Sequence, residues 1–338
     1  MKDIAFFDAD KITQDYLNNH QVNGFAYHYY TFDINSDETI KTVPKDVEII
    51  SLFPHSEQVK NRVLDTFPNL KLILTRSTGY NHIDLAYAKR RGIKVANVPN
   101  YGEITVAEFT IGVMISLLRK VYQAKSDMKK NSVQTEKYIG EDLQGKVLGV
   151  IGTGAIGRSV VRLAQAFGMR IAAYDPYPNK TLADVDYVDL DALLKVSDVI
   201  TLHCPATDGN KHMLDKKAFE KMKTGVYIIN TARGSLIETE ALYEFLKTGK
   251  VAGAALDVLE NEDVLMQREI SMQTESFDAL ADSVVNLKMM QLDNVIITPH
   301  IAFNSVDAVH RILKITLENA QNYLNQIPFY EVRQNDSL

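Results

Sequence analysis

Three polar side chains follow predicted strands in the second half of the chain, where their chemistry could combine. Arg233 follows one apolar segment, Glu262 comes shortly after a second, and His300 follows a third. Ligands of parallel α/β sheets bind at the carboxyl ends of the strands, so these side chains can meet in one site. An arginine can hold a carboxylate and stabilise charge on a carbonyl oxygen, and a histidine can donate a proton near neutral pH. With Glu262 against its second ring nitrogen, His300 would keep a fixed tautomer, and the set predicts the reduction of a carbonyl group.

A glycine-rich run earlier in the chain predicts the cofactor that such a reduction needs. Gly152, Gly154 and Gly157 form a G-x-G-x-x-G between an apolar strand, 146–151, and an amphipathic helix. The first glycine permits a tight turn, the second lets the backbone approach a pyrophosphate, and the third lets the helix pack on the sheet. The helix N-terminus offers unpaired N–H groups and a partial positive charge. The run predicts a bound dinucleotide; the alternative is a glycine-rich turn that binds another phosphate or no ligand.

Asp175 narrows the predicted cofactor to NAD. It follows the next predicted strand, 170–174, as the acid of a dinucleotide-binding unit does. Its carboxylate would accept hydrogen bonds from the ribose hydroxyls and repel a 2′-phosphate. The residues directly after it include no arginine, and Lys180 is the first cation. NAD is therefore favoured over NADP.

Predicted strands and helices alternate along the chain, which is typical of an α/β fold with two Rossmann-like or flavodoxin-like parallel sheets. A helix at 105–123 is predicted to bridge the two domains, and an amphipathic helix at 305–326 to return to the first. The predicted strands are 3–8, 47–53, 70–77 and 93–98, followed by six that form a doubly wound sheet at 146–151, 170–174, 198–204, 226–231, 251–257 and 294–299. A helix is also predicted at 56–66.

The predicted organisation is a doubly wound NAD-binding Rossmann domain inserted in a discontinuous substrate domain. The NAD-binding domain takes residues 102–300, and the substrate domain takes residues 1–101 plus 301–338. A chain of 338 residues is long for one domain and suits two.

Composition argues against several functions. The formal net charge of −6 is unsuited to non-specific nucleic-acid binding, which needs a basic surface. No apolar segment is long enough to span a bilayer and no N-terminal signal is visible, so we expect no membrane partner. The single cysteine, Cys204, cannot form an internal disulfide and suits a reducing, cytoplasmic location. We predict no metal site.

The chain resembles the D-isomer-specific 2-hydroxyacid dehydrogenases over essentially its whole length. The resemblance lies in five ordered motifs, at 150–157, 202–205, 230–234, 255–262 and 298–303. Segments 75–84 and 97–101 are similar to the D-lactate dehydrogenase branch. The resemblance implies an NAD-dependent enzyme.

The resemblance also implies roles for single residues. Arg233 would bind and polarise a 2-oxo acid, His300 would be the acid/base with Glu262 as its partner, and Tyr101 would close the substrate pocket. Thr78 and Gly79 would offer backbone N–H groups to the substrate carboxylate, and Phe53 would line the end of the pocket with Tyr101. The cofactor residues beyond the three glycines would be Ala155, Ile156, Asp175, Cys204, Pro205, Asn210, Thr231, Ala232, Arg233 and Asp257.

The reaction so implied is the reduction of a small 2-oxo acid to the D-2-hydroxy acid, with pyruvate to D-lactate preferred. A dehydrogenase for longer 2-oxo acids, of the D-2-hydroxyisocaproate type, is an alternative, because one methylene changes specificity by only about 1–3 kcal/mol. A second alternative is an NAD-sensing, corepressor-like binding protein of the same fold, against which the short segment after the last predicted helix argues. Relatives dimerise through the region of the long helix, so we predict a homodimer.

Overall fold

The chain folds into two units, each built on a parallel sheet. The computed structural model describes residues 2–53, 59–130, 133–179, 181–262 and 277–332. One unit comprises Met1–Tyr101 and Asn304–Leu338, and the other comprises Gly102–Phe303. Within the described residues, no helix is both long and apolar enough to cross a membrane.

The first unit contains a five-stranded parallel sheet of flavodoxin-like strand order, 2-1-3-4-5 with the strands numbered along the chain. Its central strands are buried on both faces, as parallel strands covered by helices are. Ile4 and Ile49 face one apolar core while Ala5 and Ile50 face the other, which is the period of two expected of a strand. The strands are β1 (Lys2–Phe6), β2 (Phe25–Tyr29), β3 (Ile49–Leu52), β4 (Leu72–Thr75) and β5 (Lys94–Ala96), and the helices are α1 (Lys11–Asn19), α2 (Asp37–Thr42), α3 (Asn61–Leu64) and α4 (Leu85–Arg90).

The second unit contains a sheet of seven parallel strands. The strands are β6 (Val147–Ile151), β7 (Arg170–Tyr174), β8 (Val185–Tyr187), β9 (Val199–Leu202), β10 (Val226–Asn230), β11 (Val251–Leu256) and β12 (Val295–Ile297). Their order in the sheet is β12-β11-β10-β9-β6-β7-β8, and it reverses between β6 and β9, which is the switch point where such sheets bind ligands. The helices are α5 (Glu103–Leu118), α6 (Val121–Lys129), α7 (Ala155–Ala166), α8 (Leu190–Val196), α9 (Lys216–Lys221), α10 (Thr239–Thr248) and α11 (Phe277–Met289).

The predicted fold class is confirmed, but the strand count was wrong in both sheets. The sequence predicted four strands and then six, and it missed the two edge strands β2 and β8. β8 has only three residues and no buried side chain, so it leaves no apolar run to detect. In β2 the aromatic residues Phe25, Tyr27 and Tyr29 do alternate along the strand and pack on one apolar core, but only Phe25 is buried, and the sequence prediction overlooked this short pattern. The helix predicted at 56–66 is α3 at Asn61–Leu64, and 56–58 lie outside the described residues.

The prediction of one bridging helix at 105–123 was also wrong. α5 ends at Leu118, and Lys120 adopts a left-handed conformation (φ 54°) before α6 begins. The Leu118 carbonyl accepts a hydrogen bond from Glu141 N–H at 3.1 Å, so a passing segment caps the end of α5. The buried face of α5, which includes Met114, packs with Leu148 and other residues in the core of the second unit. α5 is therefore a core helix of that unit.

The predicted C-terminal helix is present as α12 (Val306–Leu324) in the first unit. The Ser305 hydroxyl accepts a hydrogen bond from Ala308 N–H at 3.1 Å and caps its N-terminus. Leu313 and Leu317 lie in the same apolar core as Ile4 of β1. The chain thus returns to cover one face of the first sheet.

Candidate active site

The turn from β6 into α7 has the geometry that a dinucleotide requires. Gly152 is left-handed (φ 92°), and a Cβ there would lie 2.8 Å from the backbone nitrogen of Cys204. A Cβ on Gly157 would lie 2.0 Å from the Gly152 carbonyl oxygen, so this glycine lets α7 pack against the turn. A Cβ on Gly154 would have no described atom within 4 Å. Because α7 also lacks a side-chain cap, the space beside Gly154 and the free N–H groups fit a pyrophosphate.

Asp175 is fixed at the carboxyl end of β7, beside the glycine turn. Its Oδ2 accepts hydrogen bonds from the backbone N–H of Thr153 at 2.7 Å and from the Thr153 hydroxyl at 2.9 Å. Its Oδ1 accepts from Tyr177 N–H at 2.8 Å, and the Tyr187 hydroxyl donates to Thr153 Oγ1 at 3.0 Å. The carboxylate can therefore receive a ribose hydroxyl at a fixed position. Sequence reasoning missed Thr153 and Tyr187, which hold it there.

The other residues that the family resemblance assigns to the cofactor follow strands of the same sheet or begin α7. Thr231 follows β10, and its hydroxyl is 3.0 Å from the hydroxyl of Thr110 in α5. Asn210 braces its own loop, because its Nδ2 donates to the Pro205 carbonyl at 2.8 Å. The remaining members are Ala155 and Ile156 in the first turn of α7, Cys204 and Pro205 after β9, and Ala232 after β10. Their contacts with a cofactor stay predictions.

Cys204 lies in an apolar environment that does not activate its thiol as a nucleophile. Burial raises the pKa of its thiol to about 11, so the thiolate is disfavoured at neutral pH. Its Sγ lies 3.9 Å from Sδ of Met213, within an apolar cluster. This agrees with a small side chain beside the cofactor and not with covalent chemistry.

Arg233, Asp257 and His300 follow β10, β11 and β12, which are neighbours in the sheet. The backbone connects two of them directly, because His300 N–H donates to the Asp257 carbonyl at 2.9 Å. Arg233 is exposed, and its Nη1 donates to the Ala232 carbonyl at 2.7 Å. Its charge acts to lower the pKa of His300, so the two cationic groups are close enough to interact.

Glu262 and His300 form a hydrogen-bonded pair. Nδ1 of His300 lies 2.8 Å from Oε1 of Glu262, while Oε2 of Glu262 accepts from Leu259 N–H at 3.1 Å. This hydrogen bond is the largest cause of a raised His300 pKa; the charges of Glu262 and Asp257 add to it, while burial and Arg233 oppose it. The imidazolium is therefore favoured, with Nδ1–H donating to Glu262. In the part of the chain that the structure describes, Nε2 has no hydrogen-bond partner and is available to a substrate.

Asp257 holds the loop that carries His300. It is 2% exposed, and its Oδ1 accepts from the Thr298 hydroxyl at 2.6 Å and from Ile301 N–H at 2.9 Å. Its Oδ2 accepts from Ala302 N–H at 2.8 Å. Burial raises the pKa of this carboxyl although the hydrogen bonds act against it. The contacts position His300, whose backbone is left-handed (φ 53°); a role toward the cofactor stays a prediction.

The predicted carboxylate-binding residues, Thr78 and Gly79, lie in the loop after β4 of the first unit. The Thr78 hydroxyl donates to the Val98 carbonyl at 3.0 Å, and Asn97 Nδ2 donates to the Thr78 carbonyl at 2.8 Å. Among the hydrogen bonds of the described chain, neither Thr78 N–H nor Gly79 N–H donates to a protein acceptor. The loop is thus braced with two amide donors left for a ligand.

The two predicted wall residues of the substrate pocket also belong to the first unit. Phe53 follows β3, and the Arg76 guanidinium lies over its ring at 5.7 Å from the centroid. The Tyr101 carbonyl accepts from Arg311 Nε at 2.8 Å. Contact of Phe53, Tyr101, Thr78 or Gly79 with a substrate stays a prediction.

Sequence reasoning assigned no role to three residues beside the candidate catalytic residues, namely Gly234, His212 and Glu260. A Cβ on Gly234 would lie 2.0 Å from the carbonyl carbon of Leu259, so the Arg233 loop packs directly on the Glu262 loop. The position of Gly234 directly after Arg233 is the only sequence signal for this contact. Nε2 of His212 lies 2.8 Å from Oε1 of Glu260, a pairing across 48 positions that no local pattern indicates.

Comparison with known proteins places the chain in a family. Residues 111–302 match the family model for the D-isomer specific 2-hydroxyacid dehydrogenase, NAD binding domain. The D-lactate dehydrogenase of Escherichia coli strain K12 is 37% identical over 94% of this chain and 96% of its own length. An aromatic 2-oxoacid reductase of Clostridium sporogenes is 43% identical over 75% of this chain and 76% of its own length.

A solved structure extends the match to both units. The D-lactate dehydrogenase from Aquifex aeolicus, complexed with NAD and lactic acid, covers 96% of this chain and 96% of its own, with 34% identity and a TM-score of 0.76. The resemblance inferred from the five motifs is thereby confirmed. The chain belongs to the D-isomer specific 2-hydroxyacid dehydrogenases, in the D-lactate dehydrogenase branch.

Proposed function

We propose that the protein reduces pyruvate to D-lactate with NADH, with His300 as the proton donor and Arg233 binding and polarising the 2-oxo acid. The hydrogen bond of 2.8 Å between Glu262 and His300 is the observation that supports this most directly. Reduction of a ketone needs a proton for the oxygen and a positive group to stabilise the charge that develops there. His300 and Arg233 supply the two at the carboxyl ends of β12 and β10, the strands on either side of β11.

The direction of the proton transfer sets the expected pH dependence. In reduction, Nε2 of His300 donates its proton to the substrate oxygen while Nδ1 stays hydrogen-bonded to Glu262. Reduction should therefore fall as pH rises through the raised pKa of His300, and oxidation, which needs neutral His300, should fall as pH drops through it. The Glu262 contact extends reduction to higher pH.

The substrate carboxylate would be held by charge and by backbone donors. The exposed guanidinium of Arg233 can form two parallel hydrogen bonds with a 2-oxo acid. The N–H groups of Thr78 and Gly79, which have no acceptor in the described chain, would complete the contact. An anionic substrate would also offset the repulsion between Arg233 and protonated His300.

The residues of the glycine turn suit NAD. The N-terminus of α7 and the open space at Gly154 would hold the pyrophosphate, and Asp175 would accept the ribose hydroxyls. When bound, NADH supplies the hydride that reduces the carbonyl carbon. Thr153 and Tyr177 hold the Asp175 carboxylate through three hydrogen bonds, so it could not swing away from a 2′-phosphate. We therefore expect NADH to be strongly preferred over NADPH.

A longer 2-oxo acid is the competing substrate, and the 43% identity to an aromatic 2-oxoacid reductase supports it. We favour pyruvate because Phe53 and Tyr101, both bulky, would border the methyl end of the substrate. Pocket contacts with one methylene change specificity by about 10–200-fold, so the preference is measurable.

Values of kcat/KM for pyruvate, 2-oxoisocaproate and phenylpyruvate, each with NADH and NADPH, test the preference for pyruvate and the preference for NADH. Chiral chromatography of the product tests the D configuration; formation of L-lactate would contradict the function.

We also propose that the enzyme is a cytoplasmic homodimer. Five large apolar side chains between α5 and β6 are exposed, namely Val121, Tyr122, Met128, Val133 and Ile139. Burial of these side chains against a second subunit would stabilise a dimer. Sedimentation equilibrium should give about twice the chain mass of 38.0 kDa, and a mass of one chain would contradict the dimer. The single cysteine supports a reducing compartment.

A further inference from the structure

Two residues before Glu262 lies a second carboxylate, Glu260, that the proposed reaction does not use. Glu260 is 9% exposed, and both of its oxygens contact Nε2 of His212, at 2.8 and 2.9 Å. The Thr239 hydroxyl donates to Oε2 at 3.4 Å, and Lys211 Nζ lies 3.8 Å from Oε1. A buried carboxylate is costly unless it is paired, so this arrangement fixes the side chain of Glu260 in one place.

The backbone at Glu260 is fixed as well. Asn286 in α11 is fully buried and donates from Nδ2 to the Glu260 carbonyl at 3.0 Å. On the other side, Gly234 lies so close that a Cβ there would be 2.3 Å from the Glu260 nitrogen. His212 is left-handed (φ 52°), and its N–H donates to the Ser235 carbonyl at 2.8 Å. His212 thus connects the loop after Arg233 to the loop that carries Glu262.

The Glu260–His212 pair lies next to the turn that carries Glu262, the residue in contact with His300. Asn261 is left-handed (φ 54°), and Glu262 then folds back so that its Oε2 accepts from Leu259 N–H at 3.1 Å. The position of the Glu262 carboxylate therefore depends on the Leu259–Glu260 peptide from which the turn starts. We propose that Glu260 and His212 are positioning residues, which hold the Glu262 loop so that Glu262 stays in hydrogen-bond contact with His300.

The expected effect on turnover rests on the proposed role of His300. The direct consequence of the inference is a change in the pKa of His300, which is a property of the protein without substrate. The charged groups that act on His300 are Glu262, Asp257 and Arg233. Of these contributions the Glu262 hydrogen bond is the largest, and it should weaken when the Glu260–His212 pair is broken. Loss of that bond lowers the pKa of His300, and an NMR titration of histidine-labelled full-length protein can measure this without substrate. The signal of His300, one of eight histidines, is assigned by its absence in His300→Gln.

Four variants test the inference. Glu260→Ala and His212→Ala should both lower the His300 pKa and reduce kcat for pyruvate at alkaline pH by up to about tenfold, which is the loss expected when the Glu262 contact itself is removed. His212→Gln, which keeps a hydrogen-bond donor for Glu260, should restore most of the His300 pKa and most of the kcat. Lys223→Met is the matched control. It removes an ion pair in which Nζ of Lys223 lies 2.7 Å from Oδ1 of Asp198, a residue at the amino-terminal edge of the sheet, away from the candidate site. This variant should change neither the His300 pKa nor kcat. If Glu260→Ala does not fold, His212→Ala serves, because its side chain is 36% exposed.

A double-variant comparison separates positioning from general destabilisation. In a Glu262→Gln background, His212→Ala should cause no further fall in the His300 pKa and little further loss of kcat. An unchanged His300 pKa in folded His212→Ala, or an equal loss of kcat with and without Glu262, would overturn the inference. A lowered pKa in a protein that turns over no 2-oxo acid would instead overturn the proposed function and leave the positioning role standing.

Discussion

Replacing Glu262 with glutamine should weaken pyruvate reduction mainly at alkaline pH. The Glu262 hydrogen bond raises the pKa of His300, so the variant should lose its imidazolium at a lower pH than the wild type. Below both pKa values, His300 is protonated in both proteins, and their rates should approach each other. Above both, the wild type keeps the larger protonated fraction. Oxidation of D-lactate should respond in the opposite sense, because it needs neutral His300.

The size of the effect follows from the geometry of the pair. A hydrogen bond to a charged group contributes about 1.5–3 kcal/mol. The side chains of His300 and Glu262 are 44% and 23% exposed, so solvent screening favours the lower end, about 1.5 kcal/mol. A change of 1.36 kcal/mol, whether in the activation barrier or in the free energy that separates the two protonation states, changes the rate tenfold. Reduction by Glu262→Gln should therefore fall roughly tenfold on the alkaline limb.

The assay is the pH profile of kcat for pyruvate with NADH and with its 4-deuterated form, because the isotope effect shows where chemistry limits the rate. Asp3→Asn is the matched control: it removes a similar pair in the first unit, where His28 Nε2 lies 2.9 Å from Asp3 Oδ1. Asp3→Asn should leave the profile unchanged. Superimposable profiles for Glu262→Gln and wild type, or an equal loss at every pH, would refute the reasoning.

Four further variants test the cofactor turn and the loop contacts. Gly154→Ala should fold normally but raise the Kd for NADH on the order of tenfold, about 1.4 kcal/mol, because its Cβ enters the space expected for the pyrophosphate; unchanged NADH affinity by fluorescence titration would contradict it. Gly157→Ala should instead lower thermal stability, by about 1–3 kcal/mol, since its Cβ meets the Gly152 carbonyl at 2.0 Å; calorimetry that shows an unchanged Tm would count against this packing. Asp175→Asn should raise the ratio of NADPH to NADH activity about tenfold as charge repulsion is lost, and an unchanged ratio of kcat/KM would argue against that role. Gly234→Ala should lower kcat by about 10²-fold while NADH binding is kept, because its Cβ separates the Arg233 and Glu262 loops; near-normal turnover would exclude that contact as a constraint.

The cofactor turn was predictable because its chemistry is local. Gly152, Gly154 and Gly157 each have a different backbone requirement, and their spacing alone places them at the end of β6 and the start of α7. The positions of the candidate catalytic residues were predictable for a related reason. Residues that follow successive parallel strands share one edge of the sheet, so the positions of Arg233 and His300 after β10 and β12 already indicate a common site.

What the sequence could not indicate depends on contacts between distant segments. The break after α5 occurs where Glu141 reaches the Leu118 carbonyl, and nothing near Lys120 in the sequence signals it. The pairing of His212 with Glu260 likewise requires two loops from different strands to meet. The edge strand β8 is too short for its own pattern and is defined by the strand beside it.

The central claim is that His300 gives the proton to the substrate oxygen. Single-turnover reduction of saturating pyruvate by the enzyme–NADH complex measures that step directly in wild type and His300→Gln. Loss of a general acid should slow it by about 10²–10⁴-fold, while the Kd for NADH stays near the wild-type value. A single-turnover rate within a few-fold of wild type in His300→Gln would contradict the claim.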